Sequence, residues 1–407
     1  MHLSLCFHIL LLTLSRVRGA VHQRATCTPL AQGFDALDDT PLINDAIVKC
    51  GDGGTIVLPA DQIYSIRSPF NFSACHGCDF QVEGTLLMSS DTSLWTGKDA
   101  LFSLPGMKDI TIRSVTGTGV IDGNSIAFYA RPRWDHQELN NAPYFATITN
   151  GSSNIIFSGL AIKNVPMKFF HTNGNATNLR FENLLLSVEM QEGNRAGIAD
   201  WESTGFELGG VSDVFINNVQ MNFTASNPKA RVGVCIAIDR GTHGVSVTNV
   251  NCYNAKEGAV IMLEQFMNGP GIGGYRYERV TGSGISDVTI RNFTFEGDVA
   301  AGWKNEIADD KIRNVTWDDV HIVSGQAVMA NECFLRCGCS DEFSHACFAR
   351  QDGREGSSPG VVGKWPQYSN VVFSNFKGNP GTPPANGWGC PPNATVCSIS
   401  FQNWGSS

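Results

Sequence analysis

The sequence predicts an all-β, single-domain stack of short strands with one short helix capping its start. Three observations predict it. A phrase made of a small or polar residue, alternating β-branched residues and then Asn recurs between residues 153 and 376. It reads Ser153-Asn154-Ile155-Ile156-Phe157-Ser158 at its first appearance and returns at 178–183, 212–218, 244–249, 287–292 and 370–375. The composition, with 43 Gly and only 16% charged residues in 407, suits a turn-rich and largely uncharged β protein. Only residues 38–50 read convincingly as a helix.

Each phrase is too short to bury an apolar face alone, so the units must stack. Over the first five phrases the intervals run from roughly 24 to 43 residues. That irregularity argues against a strict solenoid and for a helix of strands with loops of variable length on one side. Stacked coils lie ~4.8 Å apart, and their inward residues form aliphatic ladders. The Asn that closes each phrase is read as a turn residue, because it tolerates left-handed geometry and its side chain satisfies backbone groups.

Taken in order, Met1 to Leu14 is a short apolar run followed by small residues near Val17 to Ala20. It is too short for a membrane span and reads as a secretory signal over 1–19, cleaved near 19–25, with a brief pro-segment to Arg24 as an option. The domain then runs over 27–405. Over 38–50, Asp39 or Thr40 can cap a helix, Pro41 suits its first turn, and Leu42, Ala46 and Ile47 share a face. Laid over the open end of the stack, such a helix would cover an unpaired strand edge. Thr55 to Pro59 starts the first strand, and short strands with Gly/Asn turns follow from Gln81. From about residue 331 the Cys-, Gly- and Pro-rich C-terminal part is expected to wrap irregularly.

Net charge is −9 and the pI about 5.5, so no basic surface invites nucleic acid. No later stretch is apolar enough to anchor the chain in a membrane. Of 13 cysteines, Cys6 leaves with the signal. The remaining Cys27, Cys50, Cys75, Cys78, Cys235, Cys252, Cys333, Cys337, Cys339, Cys347, Cys390 and Cys397 form an even set, as an oxidising compartment favours. Cys75/Cys78 and Cys390/Cys397 look local; the rest of the connectivity stays open. A zinc site in the 333–347 cluster with His345 is the weaker alternative. Sequons at Asn71, Asn150, Asn175, Asn222, Asn292, Asn314 and Asn393 fit a secreted glycoprotein.

The stretch Thr116 to Asn124 and the segment Pro166 to His171, with Asp38-Asp39-Thr40-Pro41, Gly53 to Val57 and Gln81 to Leu86, resemble glycoside hydrolase family 28. These are the polygalacturonases and rhamnogalacturonases, and the likeness is to the fungal branch. It spans nearly the whole mature chain and implies a right-handed parallel β-helix of the pectin-lyase type. It also implies inverting hydrolysis of pectic polysaccharide by aspartates in an Asn-Thr-Asp segment and an Asp-Asp pair one coil later. A His in Gly-His-Gly assists there, and Arg-Ile-Lys holds the substrate carboxylate. Here Thr204 stands at the first acid, Gly233-Val234 replace the Asp-Asp pair, Glu257 replaces the His, and Gly302 to Glu306 best matches the last segment.

A Thr hydroxyl and a Val methyl do not titrate near neutrality and cannot perform general acid/base work. Three expectations follow. Glu207 and Glu257, with Glu202 and Glu264 nearby, could form a shifted catalytic pair, with an apolar setting of Trp201 and Phe206 raising the acid's pKa. Otherwise Glu202 and Glu257 are solvated and Glu207 is a partly paired structural acid. Alternatively the chain is an inactive glycan binder: Thr204 lines the site, Trp201, Tyr275, Tyr277 and Trp303 stack on sugars, and Arg231, Arg276 and Lys304 take carboxylates. A third course is lyase or isomerase chemistry using Arg231 and the acids Asp309, Asp310, Asp318 and Asp319, which read more naturally as turn acids. His171 is expected to pack or turn. Gly269 to Gly274 reads as a rim loop, not a nucleotide site. No cofactor and no metal are implied. The expected partner is a polysaccharide or oligosaccharide met by a monomer outside the cell.

Overall fold

The computed structural model describes residues 24–33, 37–129, 142–189, 203–224, 233–263, 284–305, 311–332, 367–381 and 396–405. They form a parallel β-helix: each turn of the chain lays down up to three strands, and the strands pair in parallel with those of neighbouring coils. One sheet contains Ala100–Pro105, Tyr144–Thr149, Phe170–Thr172, Thr204–Leu208 and Val234–Asp239. It continues into the C-terminal parts of the long strands His243–Leu263, Ile285–Asn305 and Lys311–Glu332. The second sheet stacks the recurring phrase itself, with Ile110, Ile155, Leu179, Val214, Val245, Val288, Val315 and Val371 in one ladder. The third includes Ile63–Ile66, Thr85–Met88, Val120–Asp122 and Ala161–Lys163.

Alternation decides what lies inside. In the first sheet Phe102, Ala146, Phe170, Phe206, Ile236, Ala259 and Ala301 succeed one another coil by coil, all buried. Phe170 stacks on Phe206 with centroids 5.1 Å apart and touches Phe157 and Phe181. Parallel, in-register stacking makes such like-on-like columns, because each coil presents the same parity to the core.

The Asn residues do what their type predicts. Asn183, Asn218, Asn249, Asn292 and Asn375 all have φ between 51° and 56°. Their side chains form ladders: Asn218 donates to Asn183 at 2.7 Å and Asn292 to Asn249 at 2.7 Å. Asn249→Ala is expected to cost about 1–2 kcal/mol, from left-handed strain and two lost side-chain hydrogen bonds. Asn249→Gly should cost less, since Gly keeps the backbone angle. Urea unfolding of the pair separates the two contributions, and equal losses would show that the backbone angle is irrelevant.

The helix Thr40–Cys50 lies where expected, but Asp39 does not cap it through its side chain. The Asp39 carboxylate instead accepts from the N–H groups of Gln32 and Ser65, and Asp38 Oδ1 accepts the Thr40 N–H. Both acids tie the helix to the first coils. Cys27–Cys50, Cys75–Cys78 and Cys235–Cys252 are disulfides, and Cys397 is also disulfide-bonded. The other predicted cysteines, the signal segment, Asn393 and the rim loop at 269–274 fall outside the described residues. Within the part expected to wrap irregularly from about residue 331, the described residues include the strands Gln367–Gly378 and Cys397–Gln402, which extend the second sheet. Alternation there brings Phe373 inward to stack on Trp317, which outweighs the Gly/Pro-rich flanks.

Candidate functional site

Along the first sheet the residues between the inward ones form a row of outward parity: Ser103, Thr147, His171, Glu207, Ala237, Val260 and Gly302, in register on successive coils, of which Thr147, Ala237, Val260 and Gly302 are nonetheless buried. The row changes character along the stack. Its upstream half is polar, and downstream of Glu207 it is bare of side-chain donors and acceptors.

Glu207 is the centre of the polar half. Its Oε1 accepts from Lys168 Nζ at 2.7 Å and its Oε2 bonds His171 Nδ1. The side chains of all three are 11–13% exposed. The Tyr144 ring stacks on His171 at 5.1 Å, and Lys168 Nζ lies 5.6 Å from the same ring's centre. One coil upstream, Thr147 donates its hydroxyl to Asp99 at 2.7 Å. Burial alone would raise the Glu207 pKa. The charges of Lys168 and His171, and then the hydrogen bonds from both, outweigh burial and hold it far below the usual carboxylate range.

This corrects the raised pKa expected of Glu207. The apolar neighbour Phe206 points into the core, while the carboxylate meets two nitrogen groups brought by the preceding coil. Glu207 is therefore an ionised acceptor and has no proton to give. It also corrects His171, which does not merely pack or turn: its Nδ1 is engaged by Glu207, and no described residue bonds its Nε2.

The positions marked by the resemblance do converge. Thr204, Val234 and Glu257 are in register on three successive coils. Thr204 is 5% and Glu257 3% exposed, so Glu257 is not the solvated residue expected. The Gly233 carbonyl accepts the N–H groups of Lys256 and Glu257, which draws that segment under the strand. Glu207 lies three residues further along its strand than Thr204. Its backbone is thus offset from Glu257 by roughly 10 Å along the strand and roughly 10 Å along the stack. The register does not set the two glutamates face to face.

Gly233 itself has φ 78°, and a Cβ there would lie 2.6 Å from the Ser203 carbonyl oxygen and 3.0 Å from the Phe223 ring. The chain has shaped its backbone around the lack of a side chain.

Trp303 is not a sugar platform: it is wholly buried, stacks on Phe373 and packs on Tyr368, because its place in the register is an inward one beside Ile261. Asp318 accepts from Arg291, Ser374 and Asn375, and Asp319 from Lys377, so both are structural acids. Trp201, Glu202, Arg231, Glu264, Tyr275, Arg276, Tyr277, Asp309 and Asp310 lie outside the described residues, as does the side chain of Lys304. Sequence reasoning missed Lys168 as the partner of Glu207. The available signal was a lone cation inside the apolar run Pro166 to Phe170, where it needs a counter-charge.

The sequence model of glycosyl hydrolases family 28 matches residues 52–258. A protein of Emericella nidulans named "Probable endo-xylogalacturonan hydrolase A" is 32% identical over 367 residues, 87% of this chain and 79% of that one. Its namesake from Aspergillus flavus is 38% identical over 235 residues, 57% of this chain, and the match spans about half that relative's length, 53%. Among solved structures, endo-xylogalacturonan hydrolase from Aspergillus tubingensis superposes with a TM-score of 0.67 at 24% identity, over 94% of this chain and 92% of that one. An exopolygalacturonase from Thermotoga maritima gives 0.56 at 14% identity, over 87% and 80%. A stack of parallel coils, the matched sequence model and a relative aligned over most of both chains agree that this chain belongs to glycosyl hydrolases family 28.

Proposed function

We propose that this chain binds a pectic, uronate-containing polysaccharide along the outer face of the first sheet, outside the cell, and does not run the inverting hydrolysis of polygalacturonases. The observation that carries this reading is the state of Glu207, a carboxylate on the face that is ion-paired with Lys168. Inversion needs one protonated and one ionised carboxyl roughly 6.5–9.5 Å apart. Thr204, Gly233 and Val234 supply neither, and a side chain at Gly233 would press on the Ser203 carbonyl oxygen. Ligand recognition is better served. Lys168 and His171 offer nitrogen groups to carboxylates and hydroxyls, Tyr144 offers a ring edge, and Asp99 an acceptor. Ala237 and Val260, further along the row, add no polar group and are themselves buried, at 4% and 0% exposed, so the contacts are drawn from the upstream half. The names of the relatives point to a galacturonan bearing side sugars as the first ligand to try.

The test is calorimetry with oligogalacturonides and xylogalacturonan, run beside a reducing-end assay. Expected is saturable binding with no new reducing ends, and weaker binding after His171→Ala. Release of reducing ends that disappears in Glu257→Gln would reinstate hydrolysis through Glu207, Glu257, Glu202 or Glu264. An ultraviolet-absorbing unsaturated product would instead indicate elimination.

A further inference from the structure

Four of the sequons of this chain form two physical groups, and one group borders the candidate binding face. Asn150 and Asn175 lie at the same corner of adjacent coils, just after the first-sheet strands Tyr144–Thr149 and Phe170–Thr172. The coils meet there through the Gly151 N–H on the Gly174 carbonyl at 2.7 Å. Both residues are exposed, both have left-handed backbone angles (φ 56° and 62°), and neither side-chain amide bonds any described residue. Asn292 and Asn314 are different. Asn292 donates its Nδ2 to Asn249 at 2.7 Å. Asn314 donates to Asp287 at 2.9 Å while its Oδ1 accepts from Asn370 at 3.1 Å. A sugar on either Nδ2 would replace a ladder hydrogen and would have to fit between coils ~4.8 Å apart.

We propose that the corner at Asn150 and Asn175 carries N-linked glycan, which walls one long edge of the binding face, whereas Asn292 and Asn314 stay unmodified because their amides build the stack. In the modification the carboxamide nitrogen attacks the anomeric carbon of a lipid-linked oligosaccharide diphosphate. The C–N bond forms, the C–O bond to the diphosphate breaks, the lipid diphosphate leaves, and the amide proton passes to a base of the transferase. The attachment point at Asn175 is four residues from His171, so within roughly 14 Å of it along the chain. A glycan rooted there stands over the rim next to the Lys168–Glu207–His171 cluster. This inference concerns the edge of the face and does not depend on what the face binds.

The full chain, secreted from a fungal or yeast host, is digested with peptide N-glycosidase in heavy-oxygen water, which marks each formerly glycosylated Asn as labelled Asp. Expected is the label at Asn150, Asn175 or both, and none at Asn292 and Asn314. Asn150→Asp and Asn175→Asp, chosen because Asp also tolerates left-handed geometry, should between them remove the corner's glycan mass with the near-ultraviolet circular dichroism unchanged. Two unlabelled corner sites, or label at Asn292 or Asn314, overturns the proposal. Secretion of the double variant with undiminished glycan mass does so independently of any loss in yield.

Discussion

Lys168→Met is expected to lower the free energy of unfolding by about 3–5 kcal/mol, the usual cost of removing one partner from a buried ion pair. The substitution keeps most of the length of the side chain, so little packing is lost, but Glu207 is left in the same enclosure with only part of its compensation. Glu207→Gln alone should also destabilise, because Lys168 then loses the charge of Glu207. Lys168→Met combined with Glu207→Gln should cost clearly less than the sum of the two, since neither variant then buries an isolated charge. The pH dependence has a definite sign. The folded pKa of Glu207 lies below its unfolded value, so its contribution is fully present above the unfolded carboxylate's pKa, about 4.3. It decays as pH falls from there toward the folded value. Urea midpoints at pH 7 and pH 3 should therefore differ more for the wild type than for Glu207→Gln. A Lys168→Met protein with the wild-type midpoint and the same acid sensitivity would mean that the pair carries no net stabilisation.

The same cluster shows which parts of this molecule could be read from the chain and which could not. The stacked-strand architecture was legible because its cause is local. Alternating β-branched residues fix which side chains turn inward, and Asn at the end of each phrase fixes where the chain bends, as at Asn183, Asn218 and Asn249. The pairing of residues across coils is not local. Lys168 and Glu207 are 39 residues apart, with a loop of arbitrary length between their strands, and only the register His171↔Glu207 reveals them as neighbours. The same gap explains the misreading of Trp303. Next to Gly302 and Lys304 it looks like a surface aromatic, yet strand parity turns it into the core and sets Gly302 on the outward row. Glu257 was misjudged for a related reason. Read alone, Glu257 is a solvated acid or half of a catalytic pair; the Gly233 carbonyl, which accepts the N–H groups of Lys256 and Glu257, holds it beneath the neighbouring coil. Composition misled at the C-terminal end, where Gly- and Pro-rich flanks surround strands that continue the second sheet.

Putting an acid back at Gly233 should fail, and the failure tests the functional reading most directly. Gly233→Asp is expected to cost about 3 kcal/mol. Part is the left-handed backbone, costing about 1–2 kcal/mol for a residue with a Cβ. The remainder is overpacking, about 1–3 kcal/mol, because the nearest obstacle is a backbone oxygen that cannot rotate away. That oxygen belongs to Ser203 and already accepts the N–H of Val234 at 2.9 Å, so displacing it loosens the pairing between two first-sheet strands. Val234→Asp or Thr204→Asp meets neither the left-handed angle nor that oxygen, but each lacks a protonated partner, since Glu207 stays ionised beside Lys168. The triple variant Thr204→Asp, Gly233→Asp, Val234→Asp should accordingly fold less stably and release no reducing ends from homogalacturonan, although it contains every carboxyl that the family's mechanism uses. If it folds at wild-type stability and hydrolyses the polymer, then the backbone at Gly233 is no barrier, and a proficient catalytic site survives here lacking only its side chains.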